Sequence, residues 1–308
     1  MPSRLLVAGA LTLGLSAGPS LAEPPRVVAS IKPIHSLVAA VMQGVAEPEL
    51  LLDGAVSPHT YAMRPSDAGK LAEADMVVWA GAGVESFLGR ALATLAPGAE
   101  IVEAGSLKGL KRLAYREGGL FEPHDHAEDG HGHDDMPDAH VWLDPANAQV
   151  IVAALGERLA AADPGNAEAY RENAGAMHAR LGALDGEIAE RMAPVAGRRF
   201  LVFHDAFQYF EEAYGLQATG SVVVSPEIAP GARRVAELQA RITETGTRCL
   251  VAEPQFPREM VDMLAADGTR IAVLDPNGAA IEAGPLQYEE MMRANAAALA
   301  ACLADPAR

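Results

Sequence analysis

Five of the nine histidines in this chain fall between Phe121 and Pro145, among carboxylates. The stretch opens as Phe-Glu-Pro-His124-Asp-His126-Ala-Glu-Asp-Gly-His131-Gly-His133-Asp-Asp. It runs into Asp138-Ala-His140-Val-Trp142-Leu-Asp144-Pro145, with no lysine or arginine between Glu122 and Asp144. Neutral imidazole is the commonest protein metal ligand, and nearby carboxylates orient it and attract cations. The chemistry on offer is cation capture. The half that carries His124, His126, His131 and His133 contains glycine and lacks apolar periodicity, so it reads as a mobile loop and a secondary metal station. The bland alternative is a solvated acidic loop. The other half is apolar-flanked and holds His140 in fixed surroundings.

Three more segments carry ligand-type residues. Asp53 to Asp67 contains Gly54, Pro58, His59, Pro65 and Ser66, which predict a structured loop after a strand, with Ser66 capping the next helix. Phe200 to Phe207 puts His204 at the carboxyl end of a buried strand. Ile271 to Gly278 puts Asp275 at the end of another. Open α/β sheets bind ligands outside the carboxyl ends of their strands, where His59, His204 and Asp275 all fall. Only a cleft between facing lobes would bring them together. Their gaps match no local metal motif, and each histidine taken singly is an ordinary polar residue. His35 reads as a structural contact at a helix start and His178 as solvated. Glu253 reads as a turn residue or a support behind a ligand, and Tyr61 and Arg64 as braces of the His59 loop.

The elements that must position these residues are legible in outline. Short apolar runs alternate with helix-length amphipathic segments, the pattern of parallel sheets covered by helices. Candidate strands in the first half are Val27 to Ile31, Leu50 to Leu52, Met76 to Ala80 and Glu100 to Val102. In the second half they are Phe200 to Phe203, Gly220 to Val224, Cys249 to Ala252 and Ile271 to Leu274. Between the sets, one helix is expected over Asn147 to Ala162 and a longer one over Ala167 to Arg191. Ala174, Met177, Leu181, Leu184 and Ile188 give the long one a three-to-four spacing. At 1.5 Å per residue it measures nearly 40 Å, enough to join two lobes as a strut or to be a long surface helix.

The chain has 308 residues, 50% hydrophobic and 21% charged, room for one large or two medium domains. Arg4, the apolar run Leu5 to Leu15 and the small-residue site Ser20-Leu21-Ala22 read as a secretion signal, with the mature protein starting near Glu23. A net charge of -17 excludes nucleic acid and anionic membrane as partners, since both need a basic surface. The only cysteines are Cys249 and Cys302. In an oxidising compartment they most simply form one disulfide, tying a terminal helix to a strand; two separate buried thiols are the alternative.

The segments Gly54 to Asp67, Asp138 to Pro145, Phe203 to Phe207 and Leu274 to Gly278 resemble, in consistent order, those of the cluster A-I metal-binding proteins of ABC transporters, and in particular the zinc-specific ZnuA type. The resemblance runs from about Arg26 to Leu303. It implies an α/β fold of two small parallel-sheet lobes joined by one long rigid helix, with Zn2+ in the cleft between them. The expected division is a signal peptide over 1–22, an N-terminal lobe over 23–163 with the His-rich loop at 121–137, a linking helix over 164–194 and a C-terminal lobe over 195–308. Residue by residue, His59, His140 and His204 match the family's three histidine ligands and Asp275 its carboxylate position, which in zinc members ligates weakly or gives way to water. Pro58 stands where some zinc members place a glutamate. Cys249 and Cys302 resemble a disulfide of some zinc members.

Three imidazoles with a carboxylate or water suit tetrahedral zinc, whereas manganese favours more oxygen ligands. The expectation is a monomeric periplasmic binding protein, not an enzyme, that captures Zn2+ and passes it to the membrane permease of a zinc ABC transporter, with a periplasmic zinc chaperone as a further partner. The rivals are a manganese- or iron-binding relative or adhesin of the same family, and a secreted zinc hydrolase. No His-Glu-x-x-His helix or nucleophile elbow supports the last.

Overall fold

The computed structural model describes residues 23–116, 120–121, 137–223, 230–265 and 268–304. Residues 1–22, read above as a secretion signal, and the histidines His124, His126, His131 and His133 lie outside them. The N-terminal half runs β1 (Val27–Ala29), α1 (Lys32–Val41), β2 (Glu49–Leu50), α2 (Pro65–Ala72), β3 (Met76–Trp79), α3 (Ser86–Leu95), β4 (Glu100–Glu103) and α4 (Pro145–Ala162). The long α5 (Ala167–Met192) follows. The C-terminal half runs β5 (Arg199–Val202), α6 (Gln208–Ala213), β6 (Gln217–Ser221), α7 (Ala232–Thr245), β7 (Cys249–Ala252), α8 (Glu259–Asp262), β8 (Arg270–Val273) and α9 (Gln287–Leu303).

Each half builds one parallel four-stranded sheet, in the orders β2-β1-β3-β4 and β6-β5-β7-β8. The central strands are apolar along their length because helices cover both faces, as parallel pairing requires. Val27, Val28 and Ala29 of β1 and all four residues of β3 and of β7 are buried. The expected strand at Gly220 to Val224 begins earlier, at Gln217. Pairing with β5 recruits the polar run Gln-Ala-Thr-Gly-Ser, which apolar patterning passes over. Ladder bonds then continue past the strand, from the Val222 and Val223 amides to Val202 and Phe203 carbonyls.

The α5 helix buries Tyr170, Ala174, Met177, Leu181, Leu184, Ile188 and Met192 along one stripe. It packs on α1 and α4 of the first lobe and on α9 of the second, so it touches both. Gly156 of α4 lets α5 approach: a Cβ there would lie 2.7 Å from that of Ala174. One apolar core runs through both lobes, from Val27 to Leu303, and a smaller one lies under α7. Polar ties also cross between the lobes. Lys32 Nζ donates to the carbonyls of Ala279 and Ile281, both at 2.9 Å, and pairs with Asp53 at 2.9 Å. The Tyr288 amide donates to Ser36 Oγ at 3.0 Å. Arg116 binds the carboxylates of Asp205 and Glu211 and lies over the Phe121 ring.

Cys249 of β7 and Cys302 of α9 are joined by a disulfide, which fastens the last helix to the second sheet.

Candidate metal centre

The first ligand-bearing loop leaves β2 and reaches α2. Ser66 does not cap α2, contrary to the sequence expectation. Pro65 takes the first helical position, Arg64 is the cap residue, and the carboxylate of Asp67 accepts the Arg64 amide at 2.8 Å. Proline suits that position because its fixed φ is already helical and it has no N–H to leave unpaired. Tyr61 Oη donates to the same carboxylate at 2.5 Å, and the Arg64 guanidinium sits 5.9 Å above the Tyr61 ring. Both residues therefore brace the loop, and buried Pro58 holds the backbone beside His59.

His140 sits in the turn that enters α4. Asp144 caps that helix, accepting the Ala146 amide at 2.8 Å, and Trp142 reaches across to the Pro276 carbonyl at 2.9 Å. The Asp138 carboxylate accepts both the His140 amide at 3.0 Å and Nδ1 at 2.7 Å. His204 follows β5 and Glu253 follows β7, and these strands are neighbours in the sheet. Glu253 Oε1 accepts His204 Nδ1 at 2.6 Å. A carboxylate that takes the Nδ1 proton fixes the tautomer and presents Nε2 as a lone-pair donor. Burial disfavours protonation of His204, but the charge and hydrogen bond of Glu253 outweigh it and raise its pKa.

The three imidazoles meet at one place. Their ring centroids are 5.4 Å apart for His59 and His140, 5.5 Å for His59 and His204, and 5.5 Å for His140 and His204. One nitrogen from each lies within 4.8 Å of the other two. His59 Nε2 and His140 Nε2 are 3.3 Å apart. Nitrogens about 2.0–2.1 Å from one tetrahedral zinc stand roughly 3.3–3.4 Å apart, so this separation fits. The buried His204 Nε2 has no hydrogen-bond partner. The cavity among the three rings is about 10 Å³, space for a single ion-sized group.

Asp275 does not join them. Among the described residues, no carboxylate belongs to the three-histidine cluster. Asp275 Oδ1 accepts Gln255 Nε2 at 2.7 Å and the Asn277 amide at 3.0 Å, while Oδ2 accepts the Ala279 amide at 2.6 Å. The Leu-Asp-Pro-Asn-Gly motif thus uses its aspartate to build a turn. His35 and His178 lie apart from the cluster, His35 buried with Nε2 on the Pro48 carbonyl at 3.0 Å and His178 exposed beside Gln149. Sequence reasoning assigned no role to Asp138 or Gln255. For Asp138 its position two residues before His140 was the available signal; Gln255 offered none.

Residues 27–302 match the profile of the family described as zinc-uptake complex component A, periplasmic (ZnuA). The chain is 41% identical to the high-affinity zinc uptake system protein ZnuA of Brucella abortus (strain 2308), with 97% of this chain and 98% of the relative aligned. It is 36% identical to the protein of the same description from Paracoccus denitrificans, with 98% of each covered. Among solved structures, a ZnuA crystal structure superposes with a TM-score of 0.76 at 23% identity, over 91% of this chain and 99% of that one. A laminin-binding adhesin of Streptococcus agalactiae does so with a TM-score of 0.76 at 22% identity, over 91% and 100%. At such identities the two structures speak for the fold alone.

Proposed function

The chain belongs to the ZnuA family of periplasmic zinc-uptake components, and we propose that it does the family's work by holding Zn2+ between His59, His140 and His204. It is a binding component of a zinc transport system, located in the periplasm, and not an enzyme. Its working partners are the permease and ATPase of an ABC transporter. The observation that carries the ligand assignment is the convergence of three ring nitrogens within 4.8 Å, two of them on imidazoles whose far side is held by a buried carboxylate.

The chemistry is capture without turnover. Imidazole nitrogens are borderline-soft donors that suit zinc, and their fixed placement removes the ordering cost a loop would face. Both lobes contribute ligands: His59 and His140 come from the first and His204 from the second. We take the lobes as residues 23–163 and 195–308, with 164–194 as the linking segment. The exported chain is expected to lose residues 1–22, to act as a monomer, and to exchange zinc with a periplasmic chaperone as well as the permease.

The test is metal analysis of protein purified without an affinity tag, followed by zinc–manganese competition. One zinc per chain, bound in preference to manganese and lost in His140→Ala, is the expected result. Unchanged tight binding in His140→Ala would remove that residue from the site.

A further inference from the structure

We infer that Lys32 is a latch across the junction of the lobes: its ammonium ties the start of the His59 loop to the segment between β8 and α9, and zinc leaves no faster than this latch opens. The inference rests on the three-histidine site proposed above.

Lys32 opens α1 and is only 7% exposed. An ammonium has three N–H donors, and three acceptors surround this one. The carbonyls of Ala279 and Ile281, each at 2.9 Å, belong to the second lobe, and Asp53 Oδ1, at 2.9 Å, to the first. Both ends of the latch are anchored. Asp53 Oδ1 also accepts the Gly54 amide at 2.7 Å, so it fixes the bend from which the loop runs to His59. On the other side, Asp275 Oδ2 accepts the Ala279 amide at 2.6 Å, Asn295 of α9 accepts the Asp275 amide at 2.8 Å, and Ile281 packs on the apolar core. The two carbonyls therefore move with β8 and α9. Trp142 Nε1 on the Pro276 carbonyl, at 2.9 Å, and the Tyr288 amide on Ser36 Oγ, at 3.0 Å, bind the same segment to the first lobe. Of these three ties, that of Lys32 alone carries a charge.

The charge decides how the junction behaves. Burying an ammonium is costly, and with the lobes closed its three acceptors offset that cost. A gap too narrow for water would leave the amine with Asp53 alone, in surroundings that solvate it poorly. Small separations are therefore penalised, and the lobes part in one step wide enough to hydrate the amine. His59 and His140 come from the first lobe and His204 from the second, so that step takes one ring nitrogen away from the other two. A metal held by three imidazoles is then held by two. The latch can also be reached from outside, because the Asp53 side chain is 74% exposed. Changing Asp53 weakens the tie without disturbing the packing of either lobe.

The test is the rate at which zinc-loaded protein gives up its metal to saturating EDTA. Lys32→Met keeps the apolar stem and removes the ammonium; it is expected to release zinc about tenfold faster than wild type. Asp53→Asn removes only the exposed counter-charge and should release it about threefold faster. Spin labels attached through Glu73→Cys, past the end of α2, and Glu244→Cys, on α7, read the separation of the lobes without metal. The zinc-free wild-type background is expected to show one narrow distance, and Lys32→Met a broader distribution. A wild-type release rate in Lys32→Met or in Asp53→Asn overturns the latch. An unchanged label distribution in Lys32→Met overturns it too, since Lys32 would then serve local stability alone. Should Lys32→Met fail to fold, the release rate of Asp53→Asn decides by itself. Failure of the underlying site looks different: His140→Ala would then bind zinc as wild type does. Loss of binding in His140→Ala, with wild-type release in the Lys32 and Asp53 variants, would defeat the latch alone.

Discussion

His204 lies two residues past the end of β5 and Glu253 one past the end of the adjacent parallel β7, and the glutamate accepts a hydrogen bond from the histidine's Nδ1 at 2.6 Å. The sheet thereby delivers a ligand and its support as a pair, although 49 positions separate them in the chain. Both are almost completely buried, so the pair is held by the second lobe before any metal arrives.

Glu253→Gln keeps an acceptor for Nδ1 but removes the charge, and Glu253→Ala removes both. Zinc affinity is expected to fall roughly 10-fold in the first and up to about 100-fold in the second, the range typical for groups that orient a ligand. Chelator competition on the two variants measures this. Equal losses in both would assign the effect to packing rather than to the carboxylate.

The four histidines outside the described residues and His140 should separate cleanly. In sequence His124, His126, His131 and His133 stand mainly among glycines and carboxylates, whereas His140 is held through Asp138. Replacing the four together by alanine is expected to keep one tight zinc and to remove only weaker, additional binding. Calorimetric titration of this variant beside His140→Ala decides it. The division fails if the fourfold variant loses the tight site.

The disulfide should govern stability and not affinity. Cys249 and Cys302 stand 53 positions apart in the chain, in β7 and α9, and neither is among the residues that line the three-histidine cavity. Changing both to serine is expected to lower unfolding stability by about 4 kcal/mol in the chain-entropy account. Denaturant unfolding reads that loss, and zinc affinity at 25 °C should match wild type.

Glu85 gives the fold a pH dependence. The side chain is fully buried in the turn after β3, with Oε2 accepting the amides of Ala80 at 2.7 Å and Gly81 at 3.2 Å. Burial, working against those bonds, pushes its pKa up to about 7. The folded state therefore holds this proton more tightly than the unfolded chain, whose carboxyl titrates near 4.5. Stability contributed by neutral Glu85 is fully present below that value and is lost as pH rises through about 7. Glu85→Gln should remove a loss on the order of 3 kcal/mol between acid and neutral pH. The measurement is the stability difference between variant and wild type at pH 5 and pH 8. A difference that does not grow in the variant's favour counts against it.

Local pattern determined much of this protein. Apolar runs marked seven strands within two residues at each end, because a strand covered on both faces must be apolar along its length. The eighth, expected at Gly220 to Val224, starts three residues earlier as β6, since the mostly polar Gln217 to Ser221 is recruited by pairing with β5. The α5 stripe was read correctly, because helical period is a local property. The motifs likewise marked His59, His140 and His204 as ligand candidates. What they touch was a matter for tertiary structure alone. Asp275 looked equivalent to the histidines, a polar residue at a strand end, yet its carboxylate is taken by Gln255, Asn277 and Ala279. Glu253 read either as a turn residue or as a support behind a ligand, and only the packed sheet shows that it holds His204. Residue type and position along a strand are encoded within a few neighbours. The partner of a buried polar group is chosen by whichever donors and acceptors the packed sheets bring within about 3 Å, and no short stretch of chain contains that choice.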